Sequence, residues 1–292
     1  MPIELDVDAL VAMLPAGGRI LVSGCSAESL LLADAVERAG AALGPMTFTG
    51  IFVPGLNRRT YLANPDCVTE TFFLTPELKA AGGAVRFLPF CYADIRQRLL
   101  RDVPDAALMM VSPPDDEGLC SFGPTVDFLA ELWPHIPVRL AHINPLMPHT
   151  RGGARIPLAE ITATVEAPQV LLGTPDAGSD AVADAIASHV APLIPDGATL
   201  QTGLGKVPGA VFRALTGRRN LRVHSGLIGD AIVDLEEAGA LASGQSVIAG
   251  VAIGSERLYR AITGPAYRFE TVAYTHDAVT KGAIPDFFAI NS

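Results

Sequence analysis

Short apolar runs alternate with segments of helical periodicity along this chain, and the alternation predicts its architecture. Residues 5–14 have the pattern of an amphipathic helix, and residues 19–40 that of a buried strand, a glycine turn and a helix. Further strands are predicted at 46–53, 84–88, 107–111 and 138–143, and helices at 92–101, at 124–133 and up to about residue 190. Strands that alternate with helices favour an α/β fold with a mainly parallel sheet covered on both faces.

The layout of the first strand, turn and helix recurs later in the chain. Residues 17–37 and 196–216 both run through a turn, a strand, a glycine turn and a helix. Between them, Gly, Pro, Asp and Ser cluster at residues 173–180. We therefore predict two related three-layer α/β domains, an N-terminal one at 1–178 and a short C-terminal one at 179–292.

Composition and charge narrow the classes of function. The net charge of −10 argues against a nucleic-acid surface. The 4 cysteines include no CxxC pair, so we expect neither a zinc site nor a disulfide framework, and no metal is predicted. The first residues lack the pattern of a secretory signal, and the apolar runs are too short for a membrane span. The expectation is a cytoplasmic protein without membrane contact.

The main candidate site lies in residues 199–239, where a predicted strand runs into a glycine turn and a helix. Glycines allow backbone amides to approach a ligand, and a helix N-terminus offers unpaired N–H groups to an oxyanion or a phosphate. The alternative is a turn that uses glycine only for tightness. The predicted ligand-binding residues of this turn are Gly203, Gly205, Lys206, Val207 and Pro208.

Two further motifs follow along the chain. His224-Ser225-Gly226-Leu227 is predicted at the carboxyl end of the next strand, where ligands bind in open α/β sheets. We interpret His224 as a positioning residue or an acid/base, with a simple hydrogen-bonding role as the alternative. Gly254 and Ser255 follow another predicted strand and begin a helix. This turn either helps to shape the ligand site or serves only packing.

Together these motifs resemble the acetyl-CoA hydrolase/transferase family, the class I CoA-transferases that include acetate and 4-hydroxybutyrate CoA-transferases. The similar segments are the GLGKVPGAV loop, HSGL with the following GDAIVDLEEAG, the GSERLY turn, and SPPD with GLCSFG at 112–123. The resemblance implies a NagB/RpiA/CoA-transferase-like fold and a coenzyme A thioester, such as an acyl-CoA, as substrate. It also implies that Cys120 is not the nucleophile. The implied CoA-binding residues are Gly203, Gly205, Lys206, Val207, Pro208, Gly254 and Ser255.

The chain departs from this family at the nucleophile. Where the family has HSEM or HTEM, this chain has Gly226 in place of the glutamate that forms glutamyl-CoA. Three hypotheses follow from this departure. The chain is an enzyme that acts on a thioester by another route, or a glutamate-lacking subunit of a heteromeric CoA-transferase, or a non-catalytic ligand-binding module. Gly226→Glu is expected to restore some transferase activity if the rest of the site is intact.

The end of the chain departs as well. Residues 287–292 match the family's AINS strand, beyond which family members continue. The expectation is that a partner subunit completes the second sheet or that the domain is self-sufficient in this shorter form. A homo-oligomer or a complex with a partner subunit is therefore predicted.

Overall fold

The computed structural model describes residues 1–175 and 178–291, which form two α/β units. The first unit contains Met1–His149 and Ala154–Leu172. The second contains Thr150–Gly153 and the chain from Gly173 onward. The predicted domain boundary after residue 178 adjoins residues 176 and 177, which lie outside the described residues, and it stays a prediction.

The first unit is built on a parallel sheet. Its strands are β1 (Ile3–Glu4), β2 (Arg19–Val22), β3 (Thr47–Gly50), β4 (Val68–Thr71), β5 (Val85–Phe87), β6 (Ala106–Val111), β7 (Leu119–Ser121), β8 (Val138–Ile143), β9 (Arg155–Pro157) and β10 (Ala163–Glu166). Eight of them form one sheet in the order β1-β10-β8-β6-β2-β3-β4-β5, and β7 pairs antiparallel with β9. The helices are α1 (Val7–Val11), α2 (Leu30–Ala39), α3 (Pro76–Ala81), α4 (Tyr92–Arg101) and α5 (Leu129–Leu132).

The second unit repeats the α/β plan on a smaller scale. Its strands are β11 (Thr199–Thr202), β12 (Arg222–Ile228), β13 (Val247–Ala252), β14 (Tyr267–Phe269) and β15 (Phe287–Ile290). They form a parallel sheet in the order β14-β13-β12-β11-β15. The helices are α6 (Ala181–Val190), α7 (Lys206–Ala214), α8 (Ala231–Glu237), α9 (Glu256–Ala261), α10 (Val272–Thr275) and α11 (Ala278–Gly282).

These sheets confirm the predicted α/β class with mainly parallel strands. The helix predicted at 92–101 is α4, whereas the one predicted at 124–133 is reduced to the short α5. Asp127 explains the difference, because its φ of +37° is incompatible with a right-handed helix. Strands β4 and β10 are among those that were not predicted, because their Thr and Glu residues interrupt the apolar run on which the strand predictions relied.

The core of the first unit lies between the parallel sheet and the helices on one of its faces. Ile20 of β2 and Phe48 of β3 are register partners and are fully buried. Leu32 and Val36, one helical turn apart on α2, pack into the same cluster. Apolar surface removed from water in this way supplies the main stabilisation of the unit.

A buried carboxylate at Glu70 on β4 ties several elements of this unit together. It accepts hydrogen bonds from Arg19 of β2 at 2.9 Å and from Arg98 of α4 at 3.0 and 3.1 Å, and it pairs with Arg86 of β5 at 3.3 Å. Burial by itself would raise the pKa of Glu70. The hydrogen bonds and charges of Arg98 and Arg19 outweigh that effect and lower the pKa.

We predict that Glu70→Gln lowers the free energy of unfolding by about 3 kcal/mol, because the arginines lose their counter-charge. A lowered pKa in the folded state means that Glu70 stabilises the fold above the pKa of the unfolded chain. This contribution disappears as the pH falls through the lowered value. Denaturant unfolding between pH 7 and acid pH measures both effects. The exposed Glu4→Gln is the control, and equal stability of the two variants would contradict the prediction.

Candidate functional site

The glycine turn of the second unit lies at a topological switch point of its sheet. From β11 the chain adds β12, β13 and β14 on one side, and β15 then pairs on the other side of β11. Ligands of open α/β sheets bind beside the strand ends at such a point. Gly203 follows β11 directly, and its N–H donates to the Ile290 carbonyl at 2.9 Å. A Cβ on Gly203 would lie 3.0 Å from Asn291 Oδ1, so Asn291, which sequence reasoning missed, lines the turn.

The start of α7 requires the predicted glycine. Gly205 caps the helix with φ +129° and ψ 177°, a conformation that side-chain-bearing residues rarely adopt. Val207 follows Lys206 in the first turn, and the buried Pro208 completes it. α7 therefore begins shortly after β11 ends, and the ligand-binding role of these residues stays a prediction.

Lys206 is already engaged within the second unit. Its Nζ lies 3.1 Å from Asp180 Oδ2, and the Asp180 carboxylate also caps the start of α6. This ion pair is exposed to solvent, so it contributes little to stability. A phosphate that takes Lys206 as a partner would have to compete with Asp180.

The HSGL motif lies inside a strand rather than after one. The prediction placed it at the strand's carboxyl end, but β12 continues to Ile228 because it stays paired with β13 as far as Ala252. Pairing of β12 with β11 ends at Val223. Beyond that point the buried Ser225 bridges the gap, since its Oγ lies 3.0 Å from the Thr202 carbonyl oxygen.

A histidine that sequence reasoning missed covers Gly226. His224 and Gly226 share one face of β12 because side chains alternate along a strand, and α10 packs against β12 and β13. A Cβ on Gly226 would overlap His276 Cε1 and lie 2.5 Å from His276 Nε2. One sequence feature could have indicated that another element packs here. Gly250 on β13 is a second glycine inside a strand, and such glycines mark places where other atoms approach the backbone closely.

His224 is buried under α10. Its ring centroid lies 5.6 Å from that of Tyr274, and its Nε2 has no hydrogen-bond partner within the described part of the chain. Burial lowers the pKa of His224, and the charge of Lys281 acts in the same direction. Burial likewise lowers the pKa of His276, to about 4, with Lys281 and His224 contributing. Both imidazoles are therefore neutral at pH 7.

The turn at Gly254 and Ser255 is held by a carboxylate. Asp230 accepts hydrogen bonds from the Ser255 N–H at 2.9 Å and from the Ser255 hydroxyl at 2.5 Å. A Cβ on Gly254 would lie 2.6 Å from Asp230 Oδ2 and 2.8 Å from Leu258 Cδ2. The observed contacts of Gly254 and Ser255 are therefore those of a packed turn. That they also contact CoA stays a prediction.

Two buried cysteines have protonated thiols. Burial raises the pKa of Cys25 well above its usual value, and it raises the pKa of Cys120 to about 11. The thiolate is the reactive form of cysteine, so neither side chain is poised as a nucleophile. Among residues 1–175 and 178–291, no group of three or more His, Cys, Asp or Glu side chains is arranged to hold a metal ion. Nor does any helix of that part of the chain have the length and apolarity to cross a membrane.

Comparison with known proteins identifies the relatives of the chain. It is 30% identical over 241 residues to a succinyl-CoA:acetate/propanoyl-CoA:succinate CoA transferase of Fasciola hepatica, covering 76% of this chain and 50% of that protein. It is 32% identical over 195 residues to a 4-hydroxybutyrate coenzyme A transferase of Clostridium kluyveri, covering 64% of this chain and 46% of that protein. The chain belongs to the CoA-transferase family. It spans about half the length of these curated relatives.

Solved structures agree on the fold of this CoA-transferase family member. RipA from Yersinia pestis matches with a TM-score of 0.91 at 22% identity, over 99% of this chain and 72% of that one. The 4-hydroxybutyrate CoA-transferase from Porphyromonas gingivalis matches with a TM-score of 0.80 at 23% identity, again over 99% and 72%. The predicted CoA-transferase-like fold is confirmed. No family model matches the chain.

We predict that Asp230→Ala destabilises the protein by about 2 kcal/mol, because it leaves the partly buried N–H and hydroxyl of Ser255 without their acceptor. The matched variant Ser255→Ala removes one of the two hydrogen bonds and should cost about 1 kcal/mol. Urea unfolding at neutral pH measures both values. A larger loss for Ser255→Ala than for Asp230→Ala would show that the carboxylate does not hold this turn.

Proposed function

We propose that this chain binds an acyl-CoA thioester and acts on it without a glutamyl-CoA intermediate. Its similarity to CoA-transferases over 76% of its length supports the substrate class. The observation that carries the mechanistic part is the imidazole of His276 lying over Gly226. At the predicted position of the family's nucleophile, the chain has neither a carboxylate nor the space for one.

Loss of a nucleophile leaves the other contributions to catalysis in place. Hydrogen-bond donors aimed at a developing oxyanion act whatever attacks the carbonyl, and binding energy still positions the thioester. The N–H groups of the first turn of α7 offer such donors at the switch point of the sheet. We therefore favour direct attack by water on the thioester carbonyl, so that the chain acts as an acyl-CoA hydrolase.

A glutamate-lacking subunit of a heteromeric CoA-transferase is the second candidate. Its supporting observation is the outer edge of β15, which pairs only with β11 among the described strands. An unpaired edge strand can accept a further strand. Native mass spectrometry after expression with neighbouring gene products distinguishes the two candidates, because a stable hetero-oligomer that gains transferase activity would favour the second.

The test combines calorimetry, intact-mass analysis and chromatography of the purified chain with acetyl-CoA, succinyl-CoA and butyryl-CoA. We expect saturable binding, release of free CoA and an unchanged protein mass throughout turnover. A covalent CoA adduct on the protein would contradict the glutamate-independent route. If circular dichroism shows that the protein is folded and it binds none of the three thioesters, the proposed substrate class is contradicted.

The structure changes the expectation for Gly226→Glu. The new side chain would overlap the His276 ring, so the single variant should lose about 1–3 kcal/mol of stability and show no CoA exchange between acetyl-CoA and succinate. The double variant Gly226→Glu with His276→Ala removes the overlap and should recover stability and gain measurable exchange. His276→Ala alone is the control. Equal exchange by the single and double variants would show that the ring does not occupy the space of the glutamate.

A further inference from the structure

Asp127 of the first unit is a buried and strained carboxyl group. Only 6% of the residue is exposed, and its Oδ1 has no hydrogen-bond partner within residues 1–175 and 178–291. Its φ of +37° lies in the left-handed region, which is unfavourable for a residue with a Cβ. Because burial without a partner and backbone strain both lower stability, their coincidence at one residue points to a functional role.

The Asp127 side chain borders a small cavity at the carboxyl ends of β2 and β3. The cavity has a volume of about 20 Å³, which is close to the space that a single water molecule requires. Ser23, directly after β2, and Thr125 contribute the other polar side chains of its lining. Leu99 of α4 and Leu129 of α5 are among the apolar side chains that border it. The cavity thus offers the unpaired carboxyl group one water molecule and little more.

The charges on the helices beside the cavity are engaged elsewhere. In α4, Arg98 donates to the buried Glu70 at 3.0 Å, and Arg96 donates to Glu131 of α5 at 2.8 Å. Arg101 lies at the end of α4, and its side chain is 73% exposed. The ionisable residues of the two helices are Tyr92, Asp94, Arg96, Arg98, Arg101 and Glu131. The carboxyl group at the cavity has no counter-ion among them.

The titratable groups on the turn after β2 supply no compensating charge either. Cys25 is buried, and Glu28 accepts hydrogen bonds from Asn57 and Tyr61 at 3.0 Å each. Burial raises the pKa of the Cys25 thiol, and the charges of Asp127 and then of Glu28 raise it further. Cys25 is therefore near enough to sense a charge on Asp127, yet it stays neutral at pH 7.

Burial governs the protonation of Asp127. It raises the pKa of this carboxyl group to about 7, while a hydrogen bond from the Phe128 N–H acts in the opposite direction. Burial also raises the pKa of Tyr92, and charge on Asp127 adds to that effect. A buried carboxylate without a counter-charge is costly unless water solvates it. Because the cavity admits about one water molecule, ionisation favours a state in which more water reaches the group.

We propose that Asp127 is a proton-controlled switch in the first unit. With a neutral side chain, the loop at 123–128 is closed over the carboxyl ends of β2 and β3. With an ionised side chain, this loop opens and admits water to the carboxylate. The chemical step is the exchange of one proton between the carboxyl group and solvent. Since ligands of open α/β sheets bind beside strand carboxyl ends, the switch controls access to this edge of the first sheet.

The contacts of the loop indicate which part moves. The ion pair of Glu131 with α4 holds α5 in place, so the movement is confined to the loop before this helix. α5 has 4 residues, and Phe128 caps it without a side-chain hydrogen bond. In the closed form, the hydroxyls of Ser26 and Thr125 lie 2.9 Å apart and join the loop to the turn that contains Cys25. Opening therefore exposes Cys25. The switch does not depend on the proposed acyl-CoA chemistry.

The test compares the wild type with Asp127→Asn, which resembles the neutral acid in shape, and with the exposed control Asp116→Asn. Alkylation of Cys25 by iodoacetamide at pH 6 and pH 8, measured by peptide mass spectrometry, reports opening because the closed structure buries this thiol. A carboxyl group with a pKa of about 7 is about 10-fold more ionised at pH 8 than at pH 6. The ratio of the wild-type rate to the Asp127→Asn rate should therefore rise by up to about 10-fold between these pH values. Asp116→Asn should match the wild type.

Electrostatics alone would give the opposite result. Without the charge of Asp127, the pKa of Cys25 would fall, so Asp127→Asn would react faster than the wild type at both pH values. That outcome, or equal rates of the two proteins at pH 8, would overturn the switch. Cys67, which is buried just before β4, is the internal control and should react alike in all three proteins.

Denaturant unfolding and fluorescence give readings that do not depend on the thiol. Because the folded-state pKa of Asp127 is raised, stabilisation by its neutral form is complete below the ordinary aspartate pKa of 3.8 and is lost as the pH rises through about 7. Asp127→Asn should therefore be more stable than the wild type at pH 8. Fluorescence of Trp133, the single tryptophan, should change with a midpoint near pH 7 in the wild type but not in Asp127→Asn. Lower stability of Asp127→Asn at pH 8, or a wild-type Trp133 signal that is constant with pH, would overturn the proposal.

Discussion

The close approach of α10 to the sheet at two strand glycines is the constraint on which the candidate site depends. A Cβ on Gly250 would lie 2.9 Å from the Gly226 carbonyl and 3.4 Å from Thr275 Oγ1, and one on Gly226 would overlap His276. A side chain at Gly226 would force α10 outward, whereas one at Gly250 would press against the backbone of β12. The absence of two side chains thus brings Thr275 and His276 onto β12 and encloses His224 beneath them.

This arrangement gives the departure from family chemistry a structural explanation. A glutamate nucleophile needs room above its own Cα, whereas here that room is filled by an imidazole from a neighbouring helix. Gly226 is therefore a packing requirement of this version of the fold as well as the loss of a carboxylate. An imidazole in this place leaves no carboxylate that could form an anhydride with the acyl group.

The sequence predicted the fold well because parallel α/β units have strong periodic signals. The helix at 92–101 and the glycine cap of α7 follow directly from local rules, as Gly205 with φ +129° illustrates. The site was predicted less completely. His276 and Asn291 reach their places through the pairing of β12 with β13 and of β11 with β15, and such long-range pairing has no local signature. The ion pair between Lys206 and Asp180 could not be predicted for the same reason, since the two residues are 26 positions apart in the sequence.

The central claim is that an acyl-CoA thioester is opened by water and not by a protein carboxylate. Turnover of acetyl-CoA in ¹⁸O-labelled water, with mass analysis of both the released acetate and the protein, tests this most directly. Direct attack by water would place one ¹⁸O atom in each acetate formed from the first turnover onward and none in the protein. Label retained on a glutamate or aspartate side chain, or unlabelled acetate in the first turnover, would contradict it.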